Sequence, residues 1–167
     1  MNIILKKIEK DDLELLRKWR MQENVTKYML TDPTITPESQ IEWFNKILND
    51  NTRQDYIIVV DDVRIGYYGI TNIDNRFKSC EIGFYIGEDT YRGKGIFKFV
   101  QQTIENIIYN DLKLDTIIIN VIEYNPILQK YLSNGFVENY DKRTTINKNG
   151  NNYNVISLFK VKKENSI

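Results

Sequence analysis

The 167-residue chain contains no histidine. Hydrolase machinery that uses an imidazole base, whether on serine or cysteine, is therefore excluded. Zinc sites that draw on His or on several Cys fall with it. A single cysteine, Cys80, forbids an internal disulfide. Neither charge sign is in excess, since Lys+Arg and Asp+Glu both number 23, whereas a nucleic-acid binder carries a basic surplus. No apolar run approaches the ~20 residues of a membrane helix. The opening "NIILKKIEKDD" turns charged too soon for a secretory signal. These absences set the expectation of a cytoplasmic protein with no nucleic acid, membrane or metal among its partners. Any chemistry must run on Tyr, Asp, Glu, Lys, backbone groups or water.

What is present suffices for a core. The hydrophobic fraction is 41%, with 11 Tyr and 7 Phe, and the length suits one domain, expected over 1–167. "NIILKKIEK" reads as an opening strand. Asp11 or Asp12 is a candidate cap for a first helix with Leu13, Leu16 and Trp19/Arg20 at helical spacing. In "TDPTITPES", Thr36 fits an N-cap and Pro37 the first helical position. The helix that follows is expected to reach about Asp50, with Ile41, Phe44, Ile47 and Leu48 on one face. "DYIIVV", an Asp61-Asp62 turn, "VRIGYYGITNI" and "CEIGFYI" form three strands. Ile96, Val100, Ile104, Ile107 and Ile108 mark a helix to about Asn110, and the β-branched "TIIINVI" a strand covered on both faces. A short helix over 126–133 ends at Asn134-Gly135, and a hairpin turning at Asn149-Gly150 follows. The order is βααβββαβαββ, a mixed α/β fold.

Between the "CEIGFYI" strand and the next helix lies "GEDTYRGKGIFK". Glycines at a helix start let the backbone approach an anion, whose charge meets unpartnered amides and the positive end of the helix dipole. Arg92 and Lys94 add charge at the rim. The plain alternative is a surface connection whose glycines only permit a turn. Two phosphate motifs fail: Lys94 is followed by Gly95, not Ser or Thr, which excludes a Walker A loop. Gly93-Lys94-Gly95 is followed by Ile96, Phe97 and Lys98, which excludes the dinucleotide fingerprint.

"YRGKGI" after an "EIGFYI" strand resembles the acetyl-CoA loop of the GNAT N-acetyltransferases, R/Q-x-x-G-x-G/A. Arg92 and Gly95 match, and Phe97 stands where that family has Gly or Ala. "YLSNGF" (131–136) is similar to its "Y-x-x-x-G-F", and the element order is the family's. "LRKWRMQENVTKYM" and "ITPESQIEWF" resemble the subgroup of ribosomal-protein, polyamine and nucleotide-amino-sugar acetyltransferases, most of all amino-sugar enzymes of the pseudaminic-acid type.

The resemblance implies a mostly antiparallel sheet of six to seven strands, splayed between strands 4 and 5, with helices on both faces. It implies acetyl-CoA as donor and direct attack by an amine, with no acyl-enzyme. Cofactor contacts would fall on Tyr85, Ile86, Arg92, Gly93, Lys94, Gly95, Ile96, Phe97 and Asn125, with a backbone N–H near Tyr85-Ile86 meeting the acetyl oxygen. Tyr131 takes the place of the tyrosine that protonates the leaving thiolate; the plain alternative is a tyrosine packing its ring on the core. Asn120 occupies the place where relatives carry a glutamate, which leaves Glu81, Glu123 or a water relay as base. Asn125 lies six residues before Tyr131 instead of the family's seven, so either the loop is one residue shorter or Tyr124 takes the asparagine's place.

Arg20, Tyr28, Met29 and Trp43, with Trp19, are candidates for an acceptor site, since aromatic faces and an arginine suit a sugar or nucleotide. For each tryptophan taken singly, the plainer reading is a core residue of an amphipathic helix. The expected substrate is a small-molecule primary amine, a nucleotide-linked amino sugar first, with a ribosomal-protein N-terminus, a polyamine or an aminoglycoside as alternatives. A non-catalytic CoA-binding module is the reading from another class. A monomer is expected, or a homodimer through an edge of the terminal hairpin.

Overall fold

The computed structural model describes residues 1–163. Its elements run β1 (Ile3–Lys7), α1 (Leu13–Met21), the one-turn α2 (Glu23–Thr26), α3 (Pro37–Ile47), β2 (Gln54–Val60), β3 (Val63–Asp74) and β4 (Ser79–Ile86). The second half holds α4 (Ile96–Asn106), β5 (Thr116–Ile122), α5 (Ile127–Ser133), β6 (Val137–Glu138), β7 (Thr144–Lys148) and β8 (Asn151–Val161). The strands form one sheet in the order β1-β2-β3-β4-β5-β8-β6, with β7 also on β8. Eight strands replace the expected six to seven, because the two-residue β6 pairs with Phe159 and Leu158. All pairings are antiparallel except β4–β5.

Strand alternation divides the apolar residues between two faces. Ile58, Tyr68, Ile82, Ile117 and Ile119 join Ile96, Val100 and Ile104 of α4 in one cluster, with Phe84 packed against it. On the other face Ile57 and Val59 meet Leu13, Leu16 and Trp19 of α1, with Trp43, Phe44, Tyr67 and Tyr85 against them. Trp19 is 1% exposed and its Nε1 donates to Glu88 Oε1 at 2.8 Å, so it belongs to the core. A Cβ on Gly87 would stand 2.2 Å from the Trp19 ring. That packing fixes how the chain leaves β4.

Several local expectations shift. Thr36 caps α3 by accepting from the Ser39 N–H at 3.1 Å, with Pro37 next. Asp12, however, closes the turn before α1: its Oδ2 accepts from the Glu9 N–H at 2.8 Å, and its buried carboxylate pairs with Arg64 at 2.9 Å. The inward stripe of α3 is Gln40, Trp43, Phe44 and Ile47, leaving Ile41 and Leu48 45% and 61% exposed. The helix after the glycines continues from Asn106 as a π turn over Ile107–Asp111. The Asn149-Gly150 turn has φ of 51° and 81°, the left-handed pair a tight hairpin requires.

Candidate active site

β4 and β5 pair over three positions only, ending at Glu81↔Ile118. Beyond it β4 stays with β3 and β5 stays with β8, so the sheet opens into a wedge. Which backbone groups face the wedge follows from one bond. The Gly87 N–H donates to Ile65 O at 2.8 Å, toward β3. In an antiparallel ladder the direction alternates, so the Tyr85 amide also points to β3, while those of Phe84 and Ile86 point into the wedge. Of the expected Tyr85-Ile86 pair, only Ile86 has its amide available there. Tyr85 instead sends its side chain to the opposite face, stacked 5.3 Å from Tyr67.

The glycine segment builds the wedge's rim. Gly93 and Gly95 adopt φ of 75° and 77°, the left-handed region that an L side chain enters only with strain. α4 then begins with no side-chain cap and no acidic residue in its first turn. Its leading amides and dipole are thus unanswered by the protein. Arg92 does not supply free charge. Its guanidinium donates to Ile86 O at 2.7 Å and to Asn24 O at 3.1 Å, and pairs with Asp89 at 3.1 Å. What it gives the site is the loop's position. Lys94 is exposed on the rim, its ammonium 5.1 Å from the Tyr91 ring.

Phe97 turns its ring inward, edge-on to Tyr131 at 5.0 Å and 6.1 Å from Phe84. Its ring packs between the two and forms part of the wall of the cavity along the glycine loop. Tyr131 is 0% exposed and its hydroxyl lacks a hydrogen-bond partner. Burial pushes its pKa well up, opposed by the nearby Tyr68 hydroxyl, so it stays a protonated donor. The Tyr68 hydroxyl itself donates to Gln101 at 2.8 Å.

The two carboxylates proposed as base are not brought to the wedge. Glu123 is exposed and accepts from the Asn154 backbone and side chain at 2.9 and 3.1 Å, bonds that hold its pKa below the usual range. Glu81 is half-buried at the closed end of the splay and lines none of the cavities. Asn120 does line the wedge, beside Tyr131. Asn125 stands one residue before Pro126, the N-cap of α5; its Oδ1 accepts from the Ile127 N–H at 3.0 Å, and its amide reaches Tyr28 O at 3.4 Å. Cys80 is buried, which pushes its thiol up to about 12 and leaves no nucleophile there.

Two further cavities join the wedge, sharing Met29 and Phe84 with it. One, about 270 Å³, runs along the glycine loop past Ile86, Gly95 and Phe97. The other, about 370 Å³, lies on the opposite face between α1, α3 and β3, lined by Arg20, Met29, Trp43, Arg53, Tyr67 and Tyr85 among others. Arg20, Met29 and Trp43 are thus together, while Tyr28 faces the glycine-loop cavity and the wedge.

The roof over both is residues 24–32, and side chains from the second half of the chain hold it. Lys148 Nζ donates to Thr26 O and Met29 O, both at 2.7 Å, and pairs with Asp32 at 3.0 Å. Tyr124 donates to Lys27 O at 2.6 Å. Sequence reasoning missed Lys148 and Arg53, and named Tyr124 only as a possible occupant of the family asparagine's place. No local signal marks a lysine whose partners lie 116 to 122 residues away.

An anion fits this arrangement: the amides at the start of α4 are uncapped, and the space around Gly93 and Gly95 is open. A family model described as the acetyltransferase (GNAT) domain matches residues 2–135, and the chain belongs to that family. It is an N-acetyltransferase that takes its acetyl group from acetyl-CoA. The solved spermidine N-acetyltransferase from Vibrio cholerae, in complex with CoA and spermine, is similar with a TM-score of 0.88, 21% identity and 95% of each chain covered. The spermidine/spermine N-acetyltransferase of the same organism, with manganese ions, gives 0.79 at 21% identity, over 95% of this chain and 92% of the other. At this identity the likeness is one of fold. No curated protein matches the chain in sequence. No helix of the described residues is long and apolar enough to cross a membrane.

Proposed function

We propose that residues 1–167 act as one domain that acetylates a primary amine of a small molecule by direct attack, with both substrates bound. The observation that carries this is the uncapped, glycine-opened start of α4 at the mouth of a wedge where β4 carries unclaimed amides. Acetyl-CoA supplies an activated acetyl thioester. The amides of Gly95, Ile96 and Phe97 bind its diphosphate, and the Ile86 N–H donates to the acetyl oxygen as negative charge grows there. The C–N bond forms as the C–S bond breaks. The Tyr131 hydroxyl, unpartnered and lining the wedge, gives its proton to the sulfur as the thiolate leaves and is reprotonated by the proton the amine releases. Glu123 is committed to Asn154 and Glu81 lines no cavity, so the amine proton leaves through water.

The test is release of free thiol from acetyl-CoA over a panel of primary amines. Amine-dependent release, with acetylated product by mass spectrometry, is the expected result. Binding of acetyl-CoA without turnover of any amine would leave a CoA-binding module, the reading that Phe97 and Asn120 favoured in the sequence.

Polyamine acetylation is the second reading. The similarity to spermidine N-acetyltransferases favours it, and speaks for it over the nucleotide-linked amino sugar. The charge of the acceptor cavity speaks against a polycation, because no carboxylate lines it.

A further inference from the structure

We infer that the acceptor amine carries an anionic group, a carboxylate or a phosphate, and that this group seats on Arg20 in the cavity between α1, α3 and β3. The inference rests on the acetyltransferase reading above and names the substrate class for its acceptor cavity.

Five arginines are half-buried among the described residues. Arg17 pairs with Glu14, Arg53 with Asp55, Arg64 with Asp12 and Arg92 with Asp89. Arg20 alone of these has no carboxylate. Its Nη2 donates to Thr31 O at 3.1 Å and Thr31 Oγ1 at 2.9 Å, both neutral acceptors, and its Nη1 is buried with no partner. The nearby acid, Asp32, is already bound to Lys148 at 3.0 Å. An uncompensated guanidinium inside a protein is unfavourable, and an arriving anion would relieve it.

The rest of the lining agrees. Arg53 also faces the cavity, but its charge is met by two bonds to Asp55, at 2.8 and 2.7 Å. Ser39, Gln40, Tyr67 and Tyr85 are neutral, so the lining sums to one positive charge, that of Arg20. A chain of ammonium groups would be repelled there and would find no carboxylate to pair with. An amine with an anion at its far end is instead oriented. The anion rests on the guanidinium, the body lies along the Trp43 and Tyr85 rings, and the amine reaches the wedge past Gly83 and Phe84, which both spaces share.

Binding is measured first, by calorimetry on the CoA-saturated protein, with matched ligands. Glucosamine 6-phosphate is compared with glucosamine, and 4-aminobutyrate with putrescine; spermidine is the polycation. The anionic member of each pair should bind about 10- to 100-fold more tightly, the range of a hydrogen bond to a charged group. Which pair shows the larger ratio tells phosphate from carboxylate. Arg20→Gln, which keeps a donor for Thr31, should bring both ratios to about one, and Arg20→Lys should restore part. Tighter binding of putrescine or spermidine, ratios unmoved by Arg20→Gln, or no binding by any of the five would each overturn the inference. The wild-type ratios stand even if a variant fails to fold. Thiol release with the bound amine separates the two readings. Release with spermidine alone sinks the anion seat and keeps the transferase; anion-selective binding without release does the reverse.

Discussion

Lys148 is 7% exposed, an unusual place for an ammonium, and it spans from β7 to the roof of the active site. Lys148→Met keeps most of the stem's volume and removes the charge. The variant loses two hydrogen bonds of 2.7 Å to carbonyls and an ion pair of 3.0 Å. A bond to a charged group contributes about 1.5–3 kcal/mol, while burying the ammonium opposes by several. Asp32 is 39% exposed and rehydrates once freed, which softens the loss. The net expectation is about 2–3 kcal/mol. Because none of residues 26–32 is buried, much of this should appear as local opening and not as global unfolding. A roof destabilised by about 1.4 kcal/mol or more lets about tenfold more molecules stand open. With no buried residue in it, the roof closes with a free energy on the order of 1 kcal/mol. Losing about 2–3 kcal/mol then leaves it open in most molecules. KM for the amine should rise about tenfold, more than KM for acetyl-CoA, whose proposed diphosphate seat at α4 is untouched. Initial rates with each substrate varied, plus urea denaturation, measure both quantities. An amine KM within about twofold of wild type, in a variant that has lost the expected stability, would refute the coupling of roof to acceptor site.

Four other outcomes follow from the same geometry. Tyr131→Phe removes a buried hydroxyl that has no partner, so stability should hold or rise by about 1 kcal/mol while kcat falls by about 10²-fold or more, as for loss of a general acid; unchanged kcat would remove Tyr131 from the mechanism. Gly95→Ala meets no atom within 4 Å, so its cost is the left-handed φ alone, about 1–2 kcal/mol, and calorimetry should show acetyl-CoA binding weakened by about tenfold. Gly87→Ala drives a methyl into the Trp19 ring and should lower stability by about 1–3 kcal/mol in thermal melts, as overpacking does. Cys80 should resist a thiol reagent at pH 8 until the protein unfolds. Since its thiol rises from the ordinary 9.0 to about 12 on folding, the protein is fully protected below pH 9 and loses stability as pH climbs through that window, where only the unfolded chain ionises.

The parts of the site that repeat a local pattern are legible in the sequence. The glycines before α4, the Thr36-Pro37 helix start and the Asn149-Gly150 turn each depend on φ preferences or caps within four residues. The strand and helix order was readable for the same reason, since periods of 2 and 3.6 are properties of short windows. The inner stripe of α3 differs from the one its apolar spacing predicts because Ile41 and Leu48 face outward, and only the sheet beneath decides which side is buried. Glu81 and Glu123 were candidates by type and place in the chain; register and the Asn154 contact kept them from the wedge.

By itself the sequence determined where an anion can meet free amides, because that depends on glycine dihedrals and an uncapped helix start, both written in adjacent residues. It determined too that no imidazole takes part. Only the tertiary structure decided that Arg92 is a clamp, that Arg20 keeps a charge without a counterion, and that Lys148 holds the roof. Whether a charged side chain is free or spent depends on partners that folding brings from up to 122 residues away, and Coulomb's law acts on distance in space alone.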